Sequence, residues 1–409
     1  MKKTPFILFA VIAFFYIIFS YLAVKGNFQK TGTAYYNYAI LMLKRGRWDL
    51  NSPITYDLSL YKNKWYMYWG PAPILFILPF YLFGKLNISD VFYTLAGGIL
   101  NPLIFYLTIN ELIKYFRLKL SAIKIILLIS MFAFVSPNLV LSLAGSIWAT
   151  EQIVAIFYLL AAFFLYFRYL NEKKISRLIA SYVLFMLAVF SRYTLIVQGI
   201  IYFFPLWLML KNNSWRLLVK TTILLAAVTL AFAVMIGGYN YARFGNPLEV
   251  GMRYQRGVKR YDAYLKQNKL LSLDFVPHNV DIYFFHHLIP RLQPPYVPYD
   301  KEGNSMISVY PTLILLIALF RKKTWTKKSR FFLASSLAAI IIGTIILLLN
   351  IGTGWVQFGL RYLFDVIPLA YILITVVSGS VPSLAILLLT VYGMMINVIG
   401  TLAYYQVIK

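Results

Sequence analysis

The chain has 409 residues, 61% of them hydrophobic and 13% charged, with a mean hydropathy of +0.72. That composition excludes a water-soluble globule and a disordered chain, and the absence of cysteine excludes disulfides, iron–sulfur clusters and a cysteine nucleophile. Lys and Arg number 39 against 13 Asp and Glu, a formal charge of +26; because the basic residues are interleaved with apolar runs, they fit anionic lipid rather than nucleic acid.

In chain order, Lys2 and Lys3 precede an apolar run from Pro5 to Leu22, which reads as an uncleaved signal anchor with a cytoplasmic start. Ten more runs follow at 90–113, 121–136, 148–169, 177–190, 194–210, 217–238, 308–320, 331–350, 361–379 and 382–404. A hydrocarbon core takes about 20 helical residues. The expected fold is therefore an all-α polytopic membrane protein with about 11 transmembrane helices, one domain over 1–409.

Basic clusters set the orientation. Lys114, Arg117, Lys119 and Lys124 lie between spans two and three, and Arg168, Lys173, Lys174 and Arg177 between four and five. Lys211, Arg216 and Lys220 lie between spans six and seven, and Arg321, Lys322, Lys323, Lys327, Lys328 and Arg330 between eight and nine. With Lys2 and Lys3 these make 19 basic residues on one face, which the positive-inside rule places in the cytoplasm. This parity requires that Trp65–Gly84, with three prolines and an aromatic start, lie at the interface instead of crossing. Two long segments then face outside, 25–89 and 239–308, and they are where chemistry is expected.

Acids near a membrane are costly, so those in the outer segments are weighed one by one. Asp57 stands in GRWDLNSPITYDLSLYKNKWYMYWGPAP. The Tyr and Trp residues after it, including Tyr66 and Trp69, suit a sugar site, whose rings stack on aromatic faces; they equally suit an interfacial belt with Asp57 as a helix cap. Asp49 fits a turn. Glu151, in GSIWATEQIVAIF, either reaches a cavity at the membrane surface or complements a helix N-terminus.

Phosphate binding calls for arginine. Arg243, Arg253, Arg256, Lys259 and Arg260 cluster in NYARFGNPLEVGMRYQRGVKRYDAY. Their readings are a lipid-phosphate site or nonspecific attraction to anionic lipid. Arg361 and Tyr362, in GWVQFGLRYLFD, open the tenth span on the same face, and Arg192 in SRYT either joins them or ends a short helix. His278, His286 and His287 have no metal-ligand spacing, and no Walker loop, GxGxxG, GxSxG or Asp-x-Asp pair occurs.

With these residues laid out, the chain resembles the GT-C superfamily of membrane glycosyltransferases, within it the protein O-mannosyltransferase and aminoarabinose-transferase type. The resemblance rests on the order of a signal anchor, AYYNYAILMLKRGRWDL, YWGPAPILFILPFYLFG, Glu151 and FGLRYLFDVIP. It implies interfacial helices in the first outer loop and a polyprenyl-phosphate-linked sugar donor. It also implies an acceptor glycan, lipid or protein at the extracytoplasmic face of a bacterial plasma membrane. The family usually has an acid soon after the first span, where this chain has Thr31, Gly32 and Thr33, so Asp57 is the nearest replacement and Glu151 matches a second acidic position. Where the family has a basic residue before its interfacial helix, Trp69 and Gly70 stand, and Lys62 or Lys64 lies a few residues upstream. No cofactor and no metal are expected. A lipid-linked-sugar flippase and a non-catalytic envelope scaffold are the alternatives in other classes.

Overall fold

The computed structural model describes residues 4–83, 88–257, 259–267, 269–321, 325–326 and 329–408. Lys2, Lys3, Gly84, Lys322, Lys323, Lys327 and Lys328, named above, lie outside the described residues, as does the side chain of Lys259.

Helix α1 (Thr4–Ala23) is followed by α2 (Tyr35–Leu43), a hairpin of β1 (Ser59–Tyr61) and β2 (Lys64–Tyr66), and α3 (Pro73–Phe83). The body continues with α4 (Asp90–Phe116), α5 (Ala122–Phe134), α6 (Pro137–Ser142), α7 (Ile147–Glu172) and α8 (Ile175–Ser191). After 3-10 turns over Tyr193–Tyr202 come α9 (Phe203–Lys211) and α10 (Trp215–Phe244). A second long connection carries the short helices α11 (Asp262–Lys266), α12 (Val276–Val280) and α13 (Met306–Val309). A 3-10 segment, Pro311–Phe320, then leads to α14 (Arg330–Leu349), α15 (Ile367–Val377) and α16 (Ser383–Tyr404). Every apolar run marked in the sequence is helical, and among the described residues seven helical stretches are long and apolar enough to cross a membrane.

Lipid tails are as apolar as leucine, so helices in a bilayer associate through close packing and polar contacts. The centre of the bundle shows both. Gly98 of α4 has no room for a Cβ beside Ser142, and Asn138 of α6 donates to the Gly98 carbonyl at 2.8 Å and to the Tyr16 hydroxyl of α1 at 2.9 Å. Thr94 and Thr150 join α4 to α7 at 2.6 Å.

The basic connections share one end of the bundle. Lys124 donates to the Ser378 and Val381 carbonyls at 2.7 and 2.8 Å, and Asn171 donates to the Glu111 carbonyl at 3.0 Å. Phe116 and Phe167 both pack on Phe332, and Trp207 stacks on Phe331. The two long connections lie together at the opposite end. There, α3 is about 16 Å long at 1.5 Å per residue, short of a hydrocarbon core of about 30 Å. It is tied to α2 before its start and near its end, Gly70 accepting from the Tyr36 hydroxyl at 3.1 Å and the Tyr81 hydroxyl donating to the Asn37 carbonyl at 3.3 Å.

A two-residue turn, Lys62 and Asn63, closes the hairpin with both residues at positive φ, +47° and +59°. This is the turn whose twist matches paired strands. Each hairpin edge takes one further bridge, Leu50 to Trp65 on one side and Gln255 to Ser59 on the other. The hairpin thus fastens the second long connection to the first.

Candidate active site

That fastening delivers Gln255 to Asp57. The Asp57 amide donates to the Arg256 carbonyl at 3.0 Å, and the Arg256 amide donates to the Leu58 carbonyl at 2.9 Å. Asp57 holds φ at +64°, a left-handed conformation that Asp tolerates better than most residues. Its carboxylate is buried and accepts from Trp148 Nε1 at 2.6 Å, from the Tyr68 hydroxyl at 3.2 Å and from Gln255 Nε2. Burial pushes the Asp57 carboxyl above the usual carboxylate range, while the three hydrogen bonds and the Arg361 charge pull it back.

Asp57 forms part of the wall of a cavity of about 660 Å³, which is also lined by Trp69, Glu151, Arg192, Arg361 and Tyr362. Trp69 stacks on Tyr68 with ring centroids 4.0 Å apart. At Gly70 a Cβ would stand 1.8 Å from the Phe190 carbonyl, so glycine lets this wall close on the end of α8, next to Arg192. The Arg192 guanidinium is buried between two acids, bonded through Nε to Asp365 at 2.5 Å and through Nη1 to Glu151 at 3.3 Å. Asp365 is held further by the Thr194 hydroxyl at 2.6 Å, and the Tyr362 ring lies 5.0 Å from the Arg192 guanidinium.

Arg361 differs. Its guanidinium lies 5.3 Å from the Tyr362 ring, it faces the cavity, and its buried Nε has no hydrogen-bond partner among the described residues. A buried donor without a partner is costly, and an anionic oxygen would satisfy it.

Among the residues the sequence nominated, Asp57, Glu151, Trp69, Arg192, Arg361 and Tyr362 converge on this cavity. Arg243, Arg253, Arg256, Arg260, Lys64 and Tyr66 do not line it. Arg243 is buried elsewhere, donating to the Tyr239 carbonyl at 3.2 Å, the Asn240 side-chain Oδ1 at 2.7 Å and the Met67 backbone carbonyl. Arg253 pairs with Glu249 at 2.6 Å, and Arg256, exposed, donates to the Gln255 carbonyl at 3.3 Å. Lys64 is exposed on β2, and Tyr66 packs edge-on to Phe244.

The sequence alone does not single out Tyr68, Trp148, Gln255 or Asp365. The first three are ordinary neutral residues whose role appears once Asp57 is seen to be buried; Asp365 is an acid four residues after Arg361, a signal that was present. Asp90 was also missed. From the start of α4 its carboxylate accepts from the Thr31 amide at 2.8 Å and the Thr31 hydroxyl at 2.5 Å, so an acid does stand beside the Thr31–Thr33 stretch, supplied from another segment. Among the described residues no group of three or more His, Asp or Glu is arranged to hold a metal ion.

No family model and no curated protein matches the chain. Its fold does match solved structures. The Archaeoglobus fulgidus oligosaccharyltransferase in its apo form superposes with a TM-score of 0.56 at 13% identity, covering 99% of this chain and 56% of that one. The chain shares the fold of this membrane protein. ArnT from Cupriavidus metallidurans, solved bound to undecaprenyl phosphate, gives a TM-score of 0.48 at 11% identity, with 93% of this chain and 61% of that one covered. The chain thus spans a little over half the length of the solved proteins it is similar to. Within this fold, the cavity lies where the two long connections meet the ends of α7 and α8.

Proposed function

We propose that the chain is a membrane glycosyltransferase that moves a sugar from a polyprenyl-phosphate donor to an acceptor glycan, lipid or protein at the extracytoplasmic face of a bacterial plasma membrane. The observation that carries this reading is the pair of opposite groups in one cavity, a buried carboxylate at Asp57 and a guanidinium at Arg361 with an unpaired donor. The basic connections gathered at the other end of the bundle support an extracytoplasmic cavity and a cytoplasmic N-terminus.

Asp57 is the base. Its carboxylate takes the proton of the acceptor hydroxyl as that oxygen attacks the anomeric carbon, and the bond to the lipid phosphate breaks on the opposite face with inversion. Trp148, Gln255 and Tyr68 hold the carboxylate in place, and burial makes it more basic than an exposed Asp. The departing phosphate carries its charge to Arg361, whose fixed position costs little reorganisation during the reaction. Arg192 holds Glu151 and Asp365, and so fixes the turn that carries Arg361 and Tyr362.

The test is mass-spectrometric detection of polyprenyl phosphate released by the purified protein from a panel of polyprenyl-phosphate monosaccharides, with membrane extract as the source of acceptor. Release by the wild type that Asp57→Asn abolishes is the expected result. Release unchanged by that substitution removes Asp57 from the mechanism, and donor binding without release on every donor removes the transferase.

A further inference from the structure

One helix face lines the cavity at successive positions. Trp148, Glu151 and Gln152 stand at i, i+3 and i+4 on α7, a spacing that stacks side chains on one side of a helix. Trp148 is committed to Asp57, and Glu151 to Arg192. Gln152 is 1% exposed, lines the cavity, and its side-chain carbonyl has no hydrogen-bond partner among the described residues. Tyr193 lines the same cavity, and its buried hydroxyl likewise has none. Its place follows from the break in helix at Arg192, which ends α8 in an extended conformation and starts the next turns.

Buried polar atoms in folded proteins are nearly always bonded, so two orphans on one cavity wall call for a ligand that supplies hydrogen-bonding groups. An amide carbonyl accepts and does not donate; its partner must be a donor such as a hydroxyl. A phenol both donates and accepts. A polyprenyl tail would leave both atoms unsatisfied, and the phosphate oxygens offer nothing to a carbonyl. A sugar ring offers hydroxyls beside an apolar face, and the same cavity contains the aromatic pair Tyr68 and Trp69.

We infer that Gln152 and Tyr193 read hydroxyls of the transferred sugar and determine which sugar the site takes. This rests on the proposed sugar transfer from a lipid phosphate and adds to it the residues that choose the sugar. Four residues of helix set Gln152 about 6 Å along the axis from Trp148, so the ring hydroxyl it meets is remote from the atom that reacts at Asp57. Sites built to hydrogen-bond a hydroxyl reject analogues lacking it far more strongly than apolar pockets reject a change of size.

The experiment is binding by thermal shift of the full chain, with undecaprenyl phosphate alone, undecaprenyl-phosphate monosaccharides, and their single-deoxy analogues as probes. In the wild type at least one sugar-bearing lipid should stabilise beyond the bare lipid phosphate, and removing one hydroxyl should erase the increment. Gln152→Met, which keeps the volume, should weaken that sugar-bearing lipid by about tenfold, the scale of one hydrogen bond, and leave the bare lipid phosphate unchanged. Tyr193→Phe, which removes a single oxygen, should do the same for another hydroxyl. An increment that survives both substitutions overturns the inference, as does a wild type in which the sugar adds nothing to the bare lipid. An increment lost in the variants, together with no turnover on any donor, keeps the sugar-reading residues and removes the transfer reaction.

Discussion

Two basic stretches of this chain look unequal in sequence and are unequal in the opposite sense in structure. The stretch 239–260 carries Arg243, Arg253, Arg256, Lys259 and Arg260, whereas 350–365 carries Arg361 alone. In the first, Arg243 is turned inward onto carbonyls, Arg253 is taken by Glu249, and Arg260 pairs with Glu302 at 2.5 Å. In the second, Arg361 faces the cavity with an unpaired Nε. Charge counted along a chain is therefore a poor guide to charge available to a ligand. An acid within a helical turn, or a carbonyl at a helix end, can consume a guanidinium, and what remains is decided by the fold.

The largest effect belongs to the carboxylate that shares the cavity with Arg361. Asp57→Asn should lower turnover by about 100- to 10,000-fold, the usual loss on removing a positioned base, with donor binding by thermal shift retained. Next comes Arg361→Gln, expected to reduce turnover by about 100- to 1,000-fold, as for loss of one charge-stabilising donor. It should also weaken bare polyprenyl phosphate, which an arginine consumed by the protein would not. A pH profile sharpens the point. Asp57 must be ionised to act, and burial raises it, so kcat/KM should fall on acidification from a pH above the ordinary Asp range. The Arg361 charge lowers Asp57, so Arg361→Gln should move that acid limb to higher pH. A limb that stays in place would mean the two groups do not share a site.

The same contrast explains what was legible in the sequence. Helical runs could be read because twenty apolar residues in succession have few alternatives, and the basic connections could be grouped because charge asymmetry between loops is local information. The expectation that Trp65–Gly84 lies at the interface comes from its prolines and aromatics; in the structure α3 is short and tied to α2 before its start and near its end. The hairpin is marked in sequence only by Lys62-Asn63 between two aromatic stretches, and nothing there points to Gln255, which reaches Asp57 from 198 residues away. In sequence Arg243 looks like a phosphate ligand, because nothing local announces that the Met67 carbonyl accepts from it. Partner identity at long sequence separation is a product of packing, and periodicity does not carry it.

Removing Arg243 should therefore cost stability rather than catalysis. Arg243→Gln leaves carbonyls of two segments without their donor, and about 1–3 kcal/mol is the usual cost of such unsatisfied groups. The thermal midpoint of the purified protein should drop, with KM for the donor unchanged. A raised KM at an unchanged midpoint would assign the residue to the ligand and dissolve the contrast between the two stretches.

Arg253→Gln should do least of all, although the sequence places it among the candidate phosphate ligands. Its side chain is 45% exposed, and its partner Glu249 lies four residues earlier in the connecting loop. Exposed pairs of this kind are worth about 0–1 kcal/mol, because solvent screens the attraction and ordering two long side chains opposes it. Glu249 has a second anchor, since its carboxylate also accepts from the Gly251 amide at 2.6 Å, so the loop keeps a restraint when the guanidinium is gone. Midpoint, KM and the acid limb should all match the wild type. A loss of donor affinity comparable to that of Arg361→Gln would show that the stretch 239–260 turns toward the ligand when donor is bound, and that the pairing with Glu249 is exchanged for phosphate.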